Sequence, residues 1–357
     1  MTLKDKDARK NFSKYPSTCF YELSFCVNDF ADKFLKCINF ILRKIFGINF
    51  RKNIREKKYE KILSLETYDL VVFEGVNSYI TKKISKKIGK EKMVLHLHKQ
   101  TEANPEISEI FEHFIGISNY VSCDFCKNKI VSANRVHTVM NGVNLKKFNI
   151  TVSDDEKQNL KEKYGIKKNE IVFIYTGRLL EVKGVRELIK AFKMMPQKSK
   201  CKLIIVGSSV SGSSKITRYS EELIEIAKGE NVIFTGYIPN NELYKYYNIS
   251  DIAVFPTLCE EGFGLVAVEA MSRSLPLIVT NSGGMKEIVT DKCGIKVNID
   301  ENLVKNLSEK MSILAQDKEL RTNMGKEGYK ESQKYSDENY YNNFVDTLEK
   351  IIKINQK

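Results

Sequence analysis

The segment Thr176-Gly177-Arg178-Leu179-Leu180-Glu181-Val182-Lys183-Gly184 puts a planar guanidinium and a mobile ammonium into one short stretch bounded by glycines. Arg offers a fork of donors and Lys a point charge, and both are natural partners of a pyrophosphate. Gly177 permits a tight exit from the apolar run before it, and Gly184 a turn into the helical pattern after it. An Arg and a Lys in a surface loop are also commonly just solvated charges. A second segment, Cys259-Glu260-Glu261-Gly262-Phe263-Gly264-Leu265-Val266-Ala267-Val268-Glu269-Ala270-Met271, offers more. Its Gly262-Phe263-Gly264 step lets backbone amides face a ligand where the next helix begins, at Leu265. Glu269 falls on the second turn of that helix among Val266, Ala267 and Ala270, where an unpaired carboxylate is costly. Sugar hydroxyls would be suitable donors to it; a structural bridge to a lysine is the alternative. A third segment, Asn281-Ser282-Gly283-Gly284-Met285-Lys286-Glu287-Ile288, adds a Gly-Gly close-approach loop, a weak signal taken alone.

Each of these segments follows a short apolar run and precedes a helical pattern. Strands are expected at Ile171–Thr176, Lys202–Val206, Val232–Thr235, Ile252–Phe255, Pro276–Val279 and Gly294–Val297, and helices at Val185–Met195, Arg218–Lys228, Asn241–Tyr247, Leu265–Ser272 and Leu303–Ala315. Leu320–Ile354 reads as further helices. The first half repeats the rhythm less clearly. Asp69–Phe73, Lys92–Leu97 and His137–Met140 read as strands, and Asn77–Ile88 and Asn119–Ile130 as helices. Alternation of this kind predicts βαβ units around parallel sheets, in two doubly wound α/β domains in tandem. Ligands of such sheets bind beyond the carboxyl ends of the strands, where all three segments fall. The polar stretch Val152–Lys168 is read as the place where the domains part, giving 1–150, 151–335 and a terminal helix, 336–357, that would pack back on the first domain.

Composition bounds the setting. A chain of 357 residues with 42% hydrophobic and 29% charged residues has an ordinary globular balance, and its length suits two domains. Fifty-eight Lys+Arg against 45 Asp+Glu leaves +13, which suits an anionic partner: nucleic acid, an acidic membrane surface or a phosphate-bearing substrate. No run approaches 18 uncharged apolar residues, and Met1 to Lys14 have no apolar core of the signal-peptide type, so neither a spanning helix nor export is expected. Eight scattered cysteines do not make a disulfide framework. Cys123 and Cys126 lack the second pair or spaced histidines that zinc would need, so they read as helix-borne thiols in a reducing, cytoplasmic compartment. Residues 30–46 carry a stripe of Phe30, Phe34, Ile38, Ile41, Leu42 and Ile45 with Lys33, Lys36, Arg43 and Lys44 around it. This fits a helix packed on its own domain, or a basic helix lying in an anionic membrane interface.

The ordered series Gly-Arg-Leu-x-x-x-Lys-Gly, Glu-Gly-Phe-Gly-Leu-x-x-x-Glu-Ala and Gly-Gly-x-x-Glu-Ile resembles the retaining nucleotide-sugar glycosyltransferases of family 4, the group 1 type. Glu261 and Glu269 match that family's Glu-x-x-x-x-x-x-x-Glu signature, and Asn141-Gly142-Val143-Asn144 resembles its Asn-Gly-Val-Asp step. The likeness runs from about Tyr68 to the C-terminus and is tight between Ile171 and Val289. It implies two Rossmann-like domains facing across a cleft, the GT-B fold. It also implies that Arg178 and Lys183 neutralise a departing diphosphate, the role a metal plays elsewhere. The amides from Gly262 through Phe263 and Gly264 to Leu265 would cradle phosphate or sugar, Glu261 would hold sugar hydroxyls, and Glu269 would bind the ribose. Gly177, Gly207 and Tyr237 would complete the donor site, with Val206-Gly207-Ser208 and Gly236-Tyr237-Ile238 along the base. The resemblance implies no metal and no cofactor beyond the nucleoside-diphosphate sugar itself. It places a histidine after the second strand near the donor sugar, and in Leu95-His96-Leu97-His98-Lys99 the choice is His98, with His96 second.

One departure stands out. Residues 1–57 contain a single glycine, Gly47, where the family opens with a strand and a glycine-rich loop, so the acceptor-side domain reads as shortened or divergent. The expectation is a cytoplasmic glycosyltransferase of polysaccharide or lipid-linked acceptors, peripherally associated with an anionic membrane. The alternative is a weak or inactive nucleotide-sugar-binding subunit supporting a partner transferase. A nucleic-acid partner rests on charge alone, without aromatics interleaved along a basic stripe, and is not expected.

Overall fold

The computed structural model describes residues 68–76, 78–210 and 216–356. The striped segment 30–46 lies outside the described residues. Ten strands are described. In the first half they are β1 (Val71–Phe73), β2 (Met93–Leu97), β3 (His113–Gly116) and β4 (Val136–Thr138), forming one sheet in that order. In the second half they are β5 (Ile171–Thr176), β6 (Cys201–Val206), β7 (Val232–Gly236), β8 (Ile252–Phe255), β9 (Leu277–Thr280) and β10 (Gly294–Val297). Among the described residues, no helix is long and apolar enough to cross a membrane.

The described residues form two compact units. The first holds those up to His96, Asn104–Phe114 and the end of the chain from Ile354. Within it, β1 runs parallel to β2 with Phe73 opposite Leu95, and the Phe73 ring meets Phe111 edge-on at 5.5 Å. The Ser85 hydroxyl donates to the Ile110 carbonyl at 2.8 Å, and the His113 ring pairs with the Asn355 side chain at 3.0 Å.

The second unit holds Leu97–Ala103 and Ile115–Lys353. Its sheet has the order β10-β9-β8-β5-β6-β7, with every described pairing parallel. The strand order therefore reverses between β5 and β8, which fixes a switch point at the ends of those two strands. Helices cover both faces of a parallel sheet, so its strands must be apolar throughout rather than alternating. Val172, Phe173 and Ile174 of β5, Ile252, Ala253 and Val254 of β8 and Leu277, Ile278 and Val279 of β9 are fully buried. Each large side chain of that set contributes about 1.5–3 kcal/mol by leaving water.

All six strands expected of the second half are present, shifted by no more than a residue at their ends. Three differences are instructive. The polar stretch read as a domain boundary contains a helix, Asp154–Lys163. Ser153 and Glu156 close a reciprocal capping box there, at 3.2 and 3.3 Å, which satisfies amides that an unstructured linker would leave to water. The helix expected over Asn119–Ile130 stops at Cys126, because Lys129 adopts a left-handed φ of 60° and turns the chain out. β3, four residues with a histidine at its head, and the helix Pro105–Ile110 ahead of it were not expected at all. Packing also groups residues 115–150 with the second unit rather than with the residues before them.

Candidate active site

The loop leaving β5 is held from both ends. Thr176 ends the strand, and the buried Tyr175 sends its hydroxyl to the Arg178 carbonyl at 3.0 Å. Burial, first of all, holds that phenol far above the ordinary tyrosine range. Leu179 is buried and its amide donates to the Ser208 carbonyl, also at 3.0 Å. Arg178 is left exposed between these two anchors. A single turn, Glu181–Lys183, follows, and Gly184 then adopts φ +68° against the Pro256 carbonyl oxygen, where any Cβ would collide. That approach lets the Leu258 amide reach the Val182 carbonyl at 2.8 Å, so the loops after β5 and β8 are tied together at the switch point.

The loop leaving β8 is shaped by the third sequence segment. The Thr280 hydroxyl donates to the Thr257 carbonyl and the Ser282 hydroxyl to the Cys259 carbonyl, each at 2.6 Å. The Gly284 amide donates to the Glu261 carbonyl at 2.7 Å, and the Gly283 amide to the Glu260 carboxylate at 2.5 Å. Gly283, at φ +48°, lies so close to the Glu261 backbone that a side chain would strike it. The Gly-Gly pair thus serves as the cradle of the Glu260–Gly262 backbone. From the other side the Ser118 hydroxyl donates to the Gly262 carbonyl at 2.6 Å. Glu287 accepts from the Asn119 and Tyr120 amides at 3.0 and 2.5 Å, capping the helix Asn119–Cys126 from a distant part of the chain.

These loops enclose a cleft of about 520 Å³. Its lining includes His98, Lys99, Asn141, Gly177, Arg178, Lys183, Glu260, Glu261, and Gly262 through Phe263, Gly264 and Leu265 to Val266. The Lys183 ammonium and the Glu261 carboxylate form an ion pair there, with side chains 20% and 26% exposed. Arg178 is in no ion pair among the described residues. The cleft therefore presents one uncommitted guanidinium beside a cation already balanced by its own carboxylate.

Of the two histidines, His98 stands just past the end of β2 in the cleft lining, whereas His96 is buried with its Nδ1 at 3.3 Å from Glu74. Three other residues named from sequence do not line this cleft. Gly207 borders a smaller cavity of about 80 Å³ with Leu179, Ser208 and Gly236. Tyr237, just past β7, is exposed. Glu269 is 7% exposed on the helix Leu265–Met271, and its Oε2 accepts from the Tyr247 hydroxyl at 3.1 Å. Burial pushes its carboxyl up to about 7, against the smaller downward pull of hydrogen bonds from Tyr247 and Asn240. The lysine bridge considered from sequence is not among its described partners. Ser118, Tyr175 and Tyr247 were not singled out in sequence. The first two flank recognisable segments, while Tyr247 sits among three tyrosines of one short helix with nothing to distinguish it.

A doubly wound α/β domain with cations and carboxylates gathered at its switch point defines the class: an α/β fold with parallel sheets, of the kind found in GT-B glycosyltransferases. Residues 156–331 match the family described as "Glycosyl transferases group 1". It is 31% identical over 176 residues to an uncharacterised glycosyltransferase of Methanocaldococcus jannaschii, covering 49% of this chain and 44% of that one. It is 28% identical over 243 residues to the lipopolysaccharide 1,2-N-acetylglucosaminetransferase of Salmonella typhimurium, covering 67% and 60%. The matched region thus spans about half the length of these relatives. Among solved structures, HepE of Anabaena, crystallised with UDP and glucose, superposes with a TM-score of 0.68 at 20% identity, covering 83% of this chain and 81% of that one.

Proposed function

We propose that this protein is a retaining glycosyltransferase that moves a hexose-type sugar from a nucleoside diphosphate to a polysaccharide or lipid-linked acceptor without a metal ion. The observation that carries the reading is the cleft itself. The loops after β5 and β8 bring Arg178, Lys183, Glu261 and the Gly262–Leu265 backbone to one place, at the topological position where such sheets bind ligands. In this reading Arg178 and Lys183 take up the charge that grows on the diphosphate as the sugar leaves, a stabilisation stronger in the transition state than in the ground state. Lys183 waits on Glu261 until a donor arrives. The incoming phosphate then draws the ammonium and frees the Glu261 carboxylate to accept from sugar hydroxyls. His98, in the cleft lining, is a partner for the sugar. Glu269, buried and outside that lining, is assigned the ribose by the family resemblance alone. Retention rests on the Glu261/Glu269 spacing and its family resemblance, and the sugar-nucleotide class is supported by the ligands of HepE.

Thermal unfolding with UDP, GDP and ADP and their hexose conjugates tests the donor. At a hundredfold excess over Kd, a ligand binding only the folded chain adds about 2.7 kcal/mol, a midpoint rise of roughly 5 °C for a chain of this size. Release of nucleoside diphosphate from the matching conjugate then reports turnover. A midpoint unmoved by every nucleotide would remove the donor site. Binding with turnover only beside a partner transferase would make this chain a supporting subunit.

The setting proposed is the cytoplasm, with peripheral association to an anionic membrane that carries the acceptor. The support is the net charge of +13, since a basic patch near such a surface gains about 1 kcal/mol per Lys or Arg. The protein is expected to sediment with phosphatidylserine-rich vesicles at low salt and to come off as salt rises. Remaining in the supernatant at low salt would rule the association out.

A further inference from the structure

Tyr247 lies in none of the sequence segments singled out above, yet it connects two of them. Its side chain is fully buried, with the ring edge-on to Phe148 at 6.1 Å. Its hydroxyl lies 2.7 Å from the Thr176 hydroxyl and 3.1 Å from the Glu269 carboxylate. Thr176 ends β5 and lines the cleft; Glu269 sits on the helix after β8. The three groups form a buried chain running from the cleft wall to the carboxylate.

The surroundings of Glu269 make that chain matter. Asn240 is its other polar neighbour, and no Lys or Arg is paired with it among the described residues. Arg273, one turn further along the chain, sends its guanidinium to the Phe148 carbonyl at 2.9 Å and the Asn248 side chain at 2.6 Å instead. Among the described residues Tyr247 is thus the titratable group that faces the carboxyl, and burial holds its phenol well above the ordinary range, so it keeps its proton. An ionised Glu269 can only accept; Tyr247 must then donate to it, and Thr176 must donate to Tyr247. A protonated Glu269 gains a hydrogen of its own to donate, so it no longer requires that direction of either bond.

We propose that Tyr247 is a positioning residue of the donor site, which orients Glu269 and, with Thr176 behind it, favours the carboxylate form that accepts ribose hydroxyls. The inference rests on the reading of Glu269 as the ribose partner. Tyr247 itself touches no substrate. The Glu269 carboxylate needs a donor that fills the space beside it without bringing a charge, and a phenol backed by a second hydroxyl meets that need.

The test uses the full chain with the nucleoside diphosphate that wild type binds, measured by calorimetry across pH 5.5 to 9. Tyr247→Phe keeps the ring and removes the hydroxyl. Affinity is expected to fall tenfold or more at pH 7, with KM raised and kcat little changed, because a ribose contact holds donor and transition state alike. Wild-type affinity should weaken as pH falls through the range where Glu269 gains its proton. In Tyr247→Phe that weakening should begin at higher pH, since a donor that favoured the ionised form is gone. In a Glu269→Gln background the same substitution should change affinity less than twofold, which a merely structural role would not produce. Thr176→Val should displace the pH profile in the same direction by less, and it serves if Tyr247→Phe does not fold. Equal losses in both backgrounds, or an unmoved pH profile, overturn the inference while the donor reading stands. A wild-type chain that binds no nucleotide overturns both.

Discussion

Replacing Lys183 with alanine is expected to lower the rate of sugar transfer by about 10²–10³-fold, the scale on which one preorganised group facing developing charge acts. Lys183 lines the cleft from a single tight turn whose backbone is fixed by Gly184 and by the Val182–Leu258 bond, so the ammonium has only to leave Glu261 when the ligand arrives. Its partner is Glu261, and both side chains are only partly buried. Loss of the pair should therefore cost about 1 kcal/mol of stability or less, because water screens what remains. The two effects separate cleanly: the thermal midpoint moves little while kcat collapses. Arg178→Ala should lower kcat at least tenfold, with no stability change, since that side chain is exposed and in no ion pair among the described residues. Steady-state kinetics with the matched donor decide the matter. A Lys183→Ala enzyme with kcat within tenfold of wild type would mean that the diphosphate is neutralised elsewhere.

Glu269→Gln should make the protein more stable and worse at its work. Burial lifts the Glu269 carboxyl from its ordinary 4.5 to about 7. Between those values the folded chain holds a proton that the unfolded chain releases, so stability falls as pH rises through this window. Above about pH 7 the ionised, buried carboxylate costs the full difference, about 3 kcal/mol at 1.36 kcal/mol per pH unit. Glutamine has no charge to bury. The variant should therefore exceed wild type by about 1–3 kcal/mol at pH 8 and match it near pH 4.5, as read by urea unfolding at both values. Donor affinity should fall at least tenfold over the same range, since the amide offers one acceptor where the carboxylate offers two. A variant no more stable than wild type at pH 8 would be falsifying evidence: Glu269 would then have its charge compensated in the folded protein. A group kept at such a cost is the pattern expected where function and stability pull apart.

The sheet of the second unit was legible because burial on both faces forces unbroken apolar runs, and Ile171–Thr176 and Ile252–Phe255 are short, β-branched or aromatic in large part, and closed by Gly177 and Pro256. The loops were legible because each follows such a run, at the end of a strand where ligands of parallel sheets bind. What sequence could not show was direction. Alternation put His96 and His98 on one side of a strand, but β2 ends at Leu97, so His98 escapes the pleat and joins the cleft while His96 stays inside. Lys183 and Glu261, 78 positions apart, were assigned separate tasks without any sign that they pair. The helix Asp154–Lys163 was missed because Leu160 is its one apolar residue, too little for a periodic stripe, and only the Ser153/Glu156 box marks its start. Tyr247 was invisible for the plainest reason, that a tyrosine's neighbours are set by the fold and not by its own segment.

The cap that Glu287 places on the helix Asn119–Cys126 reaches back 168 positions to Asn119. A ribosome adds roughly 5–20 residues each second, so about ten to thirty seconds separate the emergence of those amides from that of their acceptor. Through that interval the Asn119 and Tyr120 amides have only water, and Ser118 has no Gly262 carbonyl to meet. The nascent chain therefore completes this corner late, when the loop after β9 leaves the exit tunnel, and a chain interrupted before Glu287 keeps the local Ser118 cap on the Val121 amide but leaves the Asn119 and Tyr120 amides to water.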